Sequence, residues 1–187
     1  ASQSMPHTSS GYAIRTHGLT SSLNSKGYDV DVYLRNGYPL DRTDFKGDKV
    51  NASEEIENVS YYFSHQNPQD ASLINYQEIY NYNSLKKYEE ISISRLISLG
   101  KEVRPLAIHS ASNFVVGLAG AKAAKVLGIP SIYEIRGFWH LTQSTKREGY
   151  DSSDHYRLSE RFEIETAKES DYVFTITQAL KDILVEN

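Results

Sequence analysis

Apolar residues recur along the chain with two different spacings, and stretches of the two kinds alternate. In some stretches the apolar positions lie three or four residues apart, which is the spacing of one helix face. In shorter stretches they are consecutive or alternate with polar residues, as in strands. The predicted helices are 11–27, 85–99, 114–127, 152–168 and a last one after Thr177, and the predicted strands are 29–35, 59–63, 105–108, 129–135 and 172–176.

Strands that alternate with helices predict the fold class α/β, a Rossmann-like doubly wound parallel sheet with helices on both faces. The length of 187 residues fits a single domain over residues 1–187. We expect the strand order 3-2-1-4-5-6 that such domains have. Because only Ala1–Ser4 precede the first polar loop, we expect either that the chain begins just inside its first strand or that this strand is very short. Two segments lack a clear period: 41–57 is predicted to be a polar loop, and 66–83 a surface excursion or the start of a helix.

The loop that leads into the first helix suits an anion. Ser9 or Ser10 can cap the first turn, and Gly11 lets a ligand approach the backbone. The free N–H groups and the helix dipole favour negative charge there, and Arg15 follows about one turn later. Two interpretations stay open: a phosphate or acidic-substrate loop, and a capped surface helix with a solvated arginine. The inner face of this helix is predicted to carry Tyr12, Thr16, Leu19 and Leu23.

Composition and charge narrow the range of functions. The net charge of −4 and the pI near 5.9 argue against a nucleic-acid partner. The chain has no cysteine, which excludes disulfides and thiolate metal sites and fits a reducing compartment. No run of about 18 apolar residues is present, so no transmembrane helix is predicted.

Other predicted strand ends carry further candidate binding residues, because ligands of parallel sheets bind beyond the carboxyl ends of the strands. His109 ends a buried strand, and its imidazole can contact a substrate or be hydrogen-bonded within the strand-end layer. Arg136 can bind an anionic group or pair with Glu134. Trp139, which His140 follows, can stack on a sugar ring or cap the core.

Two groups of charged residues support less specific interpretations. Asp29 and Asp31 have the Asp-x-Asp spacing of a metal site that holds a diphosphate. They open a strand instead of following one, so no metal site is predicted. A set of basic residues either faces a membrane that bears a lipid-linked acceptor or forms an ordinary solvated surface. These residues are Lys122, Lys125, Lys146 and Arg147.

Four segments, taken in order, resemble the N-terminal half of family-4 (group 1) glycosyltransferases: 11–19, 108–113, 129–139 and 172–177. In that family two Rossmann-like domains face each other in the GT-B arrangement. The N-terminal domain mainly holds the acceptor, and the C-terminal domain mainly holds the nucleotide sugar. The resemblance implies a cytoplasmic, retaining hexosyl- or related transferase that needs no metal or other cofactor. It would move a sugar from a nucleotide-activated donor to a hydroxyl of a glycan, a lipid-linked sugar or a polysaccharide precursor.

The resemblance also implies site residues and a division of labour. His109 is the candidate catalytic residue, whereas Ala111 stands where many relatives carry a second histidine, so no role passes to it. The family's C-terminal domain, with its Glu-x7-Glu motif, is absent from residues 1–187, so we expect this chain alone to be inactive. The candidate substrate-binding residues, most of which we expect to line one concave surface with His109, are Ser10, Gly11, Tyr12, Arg15, Arg136, Trp139 and His140.

Two other functions stay open beside the transferase. One is a non-catalytic Rossmann-like module that binds a nucleotide or a carbohydrate by itself. The other is half of a sugar-nucleotide epimerase, which shares the two-domain architecture. A dinucleotide oxidoreductase is disfavoured, because no Gly-x-Gly-x-x-Gly follows the first strand.

Overall fold

Helices pack on three-stranded sheets in both parts of the chain, which confirms the predicted α/β, Rossmann-like fold class. The computed structural model describes residues 1–66, 79 and 81–187. It forms two compact units, Ala1–Ile79 and Tyr80–Asn187, which we call the N-terminal and C-terminal units. Most of the segment 66–83, whose structure the sequence left open, lies outside the described residues.

The N-terminal unit contains one helix and a mixed sheet. Its elements are α1 (Gly11–Ser25), β1 (Val32–Tyr33), β2 (Ser53–Ile56) and β3 (Val59–Tyr62). The strand order is β1-β3-β2, with β1 parallel and β2 antiparallel to β3. The prediction of a loop over 41–57 is wrong for Ser53–Ile56, which form β2. It was missed because Ser-Glu-Glu-Ile shows no strand pattern of its own and is held by the hairpin turn at Glu57 and Asn58, both with positive φ.

The first residue of the chain pairs with the free edge of β1. The N–H of Arg35 donates to the carbonyl oxygen of Ala1 at 2.8 Å, and the amino group of Ala1 donates to Tyr33. Ala1 thus bonds to the residues on either side of Leu34, which is the hydrogen-bond pattern of parallel strands. The predicted second and third strands are thus neighbours, as β1 and β3, and Ala1 lies at the other edge of β1, where the predicted order puts the first strand.

The buried residues of α1 lie one position further along the chain than the predicted ones, so the helix is rotated relative to the prediction. Ala13, His17 and Thr20 are buried, whereas Leu19 is exposed. His17 can be buried because Nδ1 lies 2.7 Å from the hydroxyl of Tyr61 and Nε2 lies 3.0 Å from Glu57. A search for apolar spacing misses this face because its central residue is polar and is satisfied by residues far along the chain.

The C-terminal unit has a fully parallel sheet in the order β4-β5-β6, which agrees with the predicted 4-5-6. Pairing between the predicted first and fourth strands stays a prediction. The short helix α4 was not predicted, and a 3-10 turn over Tyr150–Ser152 follows it. The elements are α2 (Tyr82–Val103), β4 (Ile108–Ala111), α3 (Phe114–Leu127), β5 (Ser131–Ile135), α4 (Trp139–Ser144), α5 (Asp154–Glu169), β6 (Tyr172–Thr175) and α6 (Gln178–Val185).

Two glycines let α3 lie close to the sheet and to α5. A Cβ at Gly117 would meet the ring of Tyr133 at 2.4 Å and Cγ2 of Thr166 at 2.6 Å. A Cβ at Gly120 would meet Oγ of Ser110 at 2.1 Å. Helix α3 ends at Leu127, and the next residue, Gly128, has a φ of 70°, the left-handed conformation common after helices. The small residues of α3 therefore set the distance between helix and strands.

We predict that Gly117→Ala destabilises the protein, although alanine is the better helix former. Tyr133 and Thr166 are fully buried and cannot move aside, so overpacking should cost about 1–3 kcal/mol of unfolding free energy. Val126→Ala is the matched control on α3, because Val126 is 65% exposed and its substitution should change stability by less than about 0.5 kcal/mol. Urea unfolding of the variants measures both effects, and equal stabilities would contradict the close packing.

Candidate functional site

The C-terminal unit brings His109, Glu134 and Arg136 together near the carboxyl edge of its sheet. β4 continues through Ala111, so His109 lies inside the strand and not at its end, which corrects the sequence interpretation. His109 shares a sheet face with Glu134, because Ala111 is the register partner of Glu134. Nε2 of His109 lies 3.3 Å from Oε2 of Glu134, and the same oxygen accepts a hydrogen bond from Nη2 of Arg136 at 2.7 Å. One carboxylate oxygen thus contacts two of the predicted site residues.

Burial differs sharply among these side chains. Those of Glu134 and Arg136 are 5% and 4% exposed, whereas that of His109 is 37% exposed. Of the two sequence interpretations of Arg136, the structure shows the pairing with Glu134, and the side chain is buried instead of lining an accessible surface. The buried pair has no net charge, and the imidazole is the member of this cluster that a substrate can reach.

Ser112 joins the loops that follow β4 and β5. Its N–H donates to the carbonyl oxygen of Glu134 at 2.9 Å, and its Oγ accepts from the N–H of Arg136 at 2.7 Å. The Ser112 hydroxyl also donates to the same carbonyl at 3.3 Å. These bonds hold the backbone from the carbonyl of Glu134 to the N–H of Arg136, which helps to fix the position of the carboxylate.

The remaining candidates of this unit lie at the start of α4 and differ in accessibility. Trp139 is 38% exposed and keeps a ring surface that a sugar can contact. His140 is buried, and its ring packs against Phe138 and Tyr156 with centroid distances of 5.5 and 4.9 Å. Burial lowers the pKa of His140. The packing indicates a structural role, which runs against the expectation that His140 lines the surface of the site.

Ser10, Gly11, Tyr12 and Arg15 belong to the N-terminal unit. Ser10 is the N-cap of α1: its Oγ accepts from the N–H of Ala13 at 3.4 Å and donates to Gln3 at 2.9 Å. A Cβ at Gly11 would meet no atom within 4 Å, so the protein leaves open space beside this backbone. Arg15 is exposed and Tyr12 is half-buried. That these residues share one surface with His109 stays a prediction.

A buried polar network after β1 was missed by the sequence reasoning. Arg35 donates to both carboxylate oxygens of Asp41, at 2.5 and 3.0 Å, and its Nε donates to the carbonyl of Ser2 at 3.1 Å. The hydroxyl of Tyr38 donates to the carbonyl of Ser4 at 2.8 Å. These bonds fix the loop that leads to α1. Arg35 lies two residues after β1, and Arg136 directly follows β5, so the strand-end reasoning used for Arg136 could have found it.

Glu163 was also missed, and it lies against the first turn of α3. Its carboxylate accepts from the N–H of Phe114 at 3.2 Å and from the hydroxyl of Tyr133 at 2.5 Å. It is fully buried, and burial raises its pKa to about 7. The protein thus places its own carboxylate at a helix N-terminus, where an anion is favoured.

No metal site is found in the part of the chain that the structure describes, since it contains no group of three or more His, Cys, Asp or Glu that could hold an ion. Asp29 and Asp31 lie before β1, at the amino end of the strand as predicted. Burial and then the charge of Asp29 raise the pKa of Asp31.

The basic residues considered for a membrane surface divide into two pairs. Nζ of Lys122 lies 2.5 Å from Glu89, and Nζ of Lys125 lies 3.5 Å from Glu169. Membrane contact by the other two, Lys146 and Arg147, stays a prediction. None of the described helices combines the length and apolar character that crossing a bilayer requires.

Comparison with known proteins identifies the family. The sequence profile described as "Glycosyl transferase 4-like domain" matches residues 10–187. The chain belongs to this family. A comparison with curated proteins gave no significant match. The matched range of this glycosyl transferase 4-like domain begins at Ser10, which caps α1, and contains the cluster of His109, Glu134 and Arg136.

We predict that Arg136→Ala destabilises this glycosyl transferase 4-like domain, because it leaves the buried carboxylate of Glu134 without this partner. Breaking one side of a buried ion pair typically costs about 3–5 kcal/mol. Arg15→Ala, at an exposed position, is the control and should cost less than about 0.5 kcal/mol. Chemical unfolding measures both variants, and equal losses would show that the pair is not desolvated as described.

We predict that stability falls as the pH rises through the range where Glu163 ionises. The folded-state pKa of about 7 is above the ordinary value of 4.5 for a glutamate, so the folded state holds this proton more tightly than the unfolded state. The contribution is complete below pH 4.5 and is lost by pH 7, a change of about 3 kcal/mol.

Glu163→Gln should remove this part of the pH dependence, whereas Glu160→Gln, exposed on the same helix, should leave it in place. Unfolding free energies measured from pH 4.5 to pH 7 test this. A slope that persists unchanged in Glu163→Gln would assign it to other groups.

Proposed function

We propose that this chain is the acceptor-side part of a retaining glycosyltransferase that uses a nucleotide-activated sugar and a hydroxyl acceptor. Family membership supports the transferase class. The observation that carries the proposal for this chain is the cluster at the C-terminal unit's sheet edge, where His109 is accessible and is backed by the buried Glu134. Such an imidazole can bind a hydroxyl group directly.

The chemistry of the cluster suits an uncharged hydroxyl better than a phosphate. Glu134 already neutralises Arg136, so this cluster offers no unbalanced cation for a diphosphate. In the proposed reaction His109 binds the acceptor hydroxyl and Trp139 contacts its sugar ring. Most of the rate enhancement would come from positioning and from charge stabilisation.

The proposed enzyme works in the cytoplasm and needs no metal. Lys146 and Arg147 make the inner face of the membrane a candidate location for it. The absence of cysteine fits a reducing compartment. The donor diphosphate would be held mainly by a second Rossmann-like domain of the natural protein. Residues 1–187 alone should therefore show no transfer and only weak binding of nucleotide sugars.

The function test is a screen of the complete natural protein against common nucleotide sugars, with donor hydrolysis and sugar transfer as readouts. We expect one donor to be consumed and the product to keep the anomeric configuration of the donor. An epimerised nucleotide sugar would instead identify the epimerase alternative. Tight binding of a nucleotide or carbohydrate by residues 1–187, with no turnover in the complete protein, would identify a stand-alone binding module.

With the donor known, we predict that His109→Ala lowers kcat/KM about tenfold or more, the effect of losing one strong hydrogen bond to substrate. The melting temperature should change little, because the side chain is 37% exposed. His155→Ala is the matched control, since His155 is an exposed histidine whose Nδ1 lies 2.6 Å from the hydroxyl of Tyr150. Equal activity of the two variants would remove His109 from the site.

A further inference from the structure

Two side chains converge on one buried oxygen, Oε2 of Glu134. Nη2 of Arg136 donates to it at 2.7 Å, and Nε2 of His109 lies 3.3 Å away. Ser112 binds the carbonyl of Glu134 and the N–H of Arg136, and the Glu134 side chain is 5% exposed. The carboxylate therefore has a fixed place, and the imidazole next to it is 37% exposed.

A carboxylate accepts hydrogen bonds and cannot donate them. A neutral imidazole beside it is favoured in the tautomer that carries its hydrogen on the nearer nitrogen, which in His109 is Nε2. The other nitrogen, Nδ1, is then an acceptor. An acceptor nitrogen suits a substrate hydroxyl, which arrives as a donor.

We propose that Glu134 is a positioning residue: its carboxylate fixes the orientation and the tautomer of His109, so that Nδ1 is available to accept a hydrogen bond from the acceptor hydroxyl. Arg136 in turn holds Glu134 and does not contact the substrate. The proposal rests on the proposed function, in which His109 touches the acceptor. It adds a residue that acts through His109 and explains why an arginine and a glutamate are buried at this edge.

The first test needs no activity and uses residues 1–187. Long-range proton–nitrogen NMR spectra report which ring nitrogen of His109 carries the hydrogen. We expect the Nε2–H tautomer in the wild-type chain and in Glu134→Asp, which keeps a carboxylate. In Glu134→Gln the amide can donate to the ring, so we expect a shift towards Nδ1–H, whereas the surface control Glu160→Gln should leave the spectrum unchanged. An unchanged His109 tautomer in Glu134→Gln would overturn the proposal.

The second test is a double-mutant cycle on kcat/KM in the complete protein. Glu134→Gln should lower kcat/KM about tenfold in the presence of His109 and have little further effect in His109→Ala. Equal losses in both backgrounds would mean that Glu134 is only structural. If Glu134→Gln does not fold, Glu134→Gln with Arg136→Met removes both buried charges and replaces it in both tests.

The two proposals fail in distinguishable ways. If the complete protein transfers no sugar, the proposed function fails, and the NMR result on residues 1–187 still decides whether Glu134 sets the His109 ring. If transfer occurs but the His109 tautomer is independent of Glu134, the positioning role fails and the transferase remains.

Discussion

The buried ion pair between Glu134 and Arg136 is the interaction on which the C-terminal unit's sheet edge depends. Taking two charges out of water is expensive, and the attraction between them opposes that cost. Here Ser112 bonds to the backbone of both residues, so the pair joins the loops after β4 and β5. Because the pair is neutral and buried, the partly exposed His109 is the member left to meet a ligand.

The N-terminal unit uses the same physical device on a different sheet. Arg35 follows β1 as Arg136 follows β5, and it is buried against both carboxylate oxygens of Asp41. Its Nε also donates to the carbonyl of Ser2, which ties the loop before α1 to the strand end. Both strand-end arginines thus bind carboxylates of their own unit. Both arginines therefore already have carboxylate partners within the protein, which weakens the case for either of them as a substrate ligand.

Close packing of α3 is the second constraint on the C-terminal unit. Gly117 lets the ring of Tyr133 and the methyl group of Thr166 approach the helix, and this brings Glu163 within reach of the first turn of α3. The hydroxyl of Tyr133 then donates to Glu163. Burial raises the pKa of the Glu163 carboxyl group, so that it keeps its proton to a higher pH than usual. The close packing at Gly117 thus contributes to the raised pKa of Glu163.

The sequence by itself determined the order of helices and strands, the α/β class and the family resemblance, because apolar spacing and caps such as Ser10 act over a few neighbouring residues. It also brought attention to His109 and Arg136 through their places near strand ends. Only the tertiary structure decided that β2 is a strand, that His17 lies on the buried face of α1, and that His140 and Arg136 are buried. Each of these outcomes depends on partners that are not visible in a local pattern. His17 contacts Tyr61, which is far from it along the chain. The pairing of Arg136 with Glu134 was open from the sequence, but its burial and its bond to Ser112 depend on the packing of neighbouring strands.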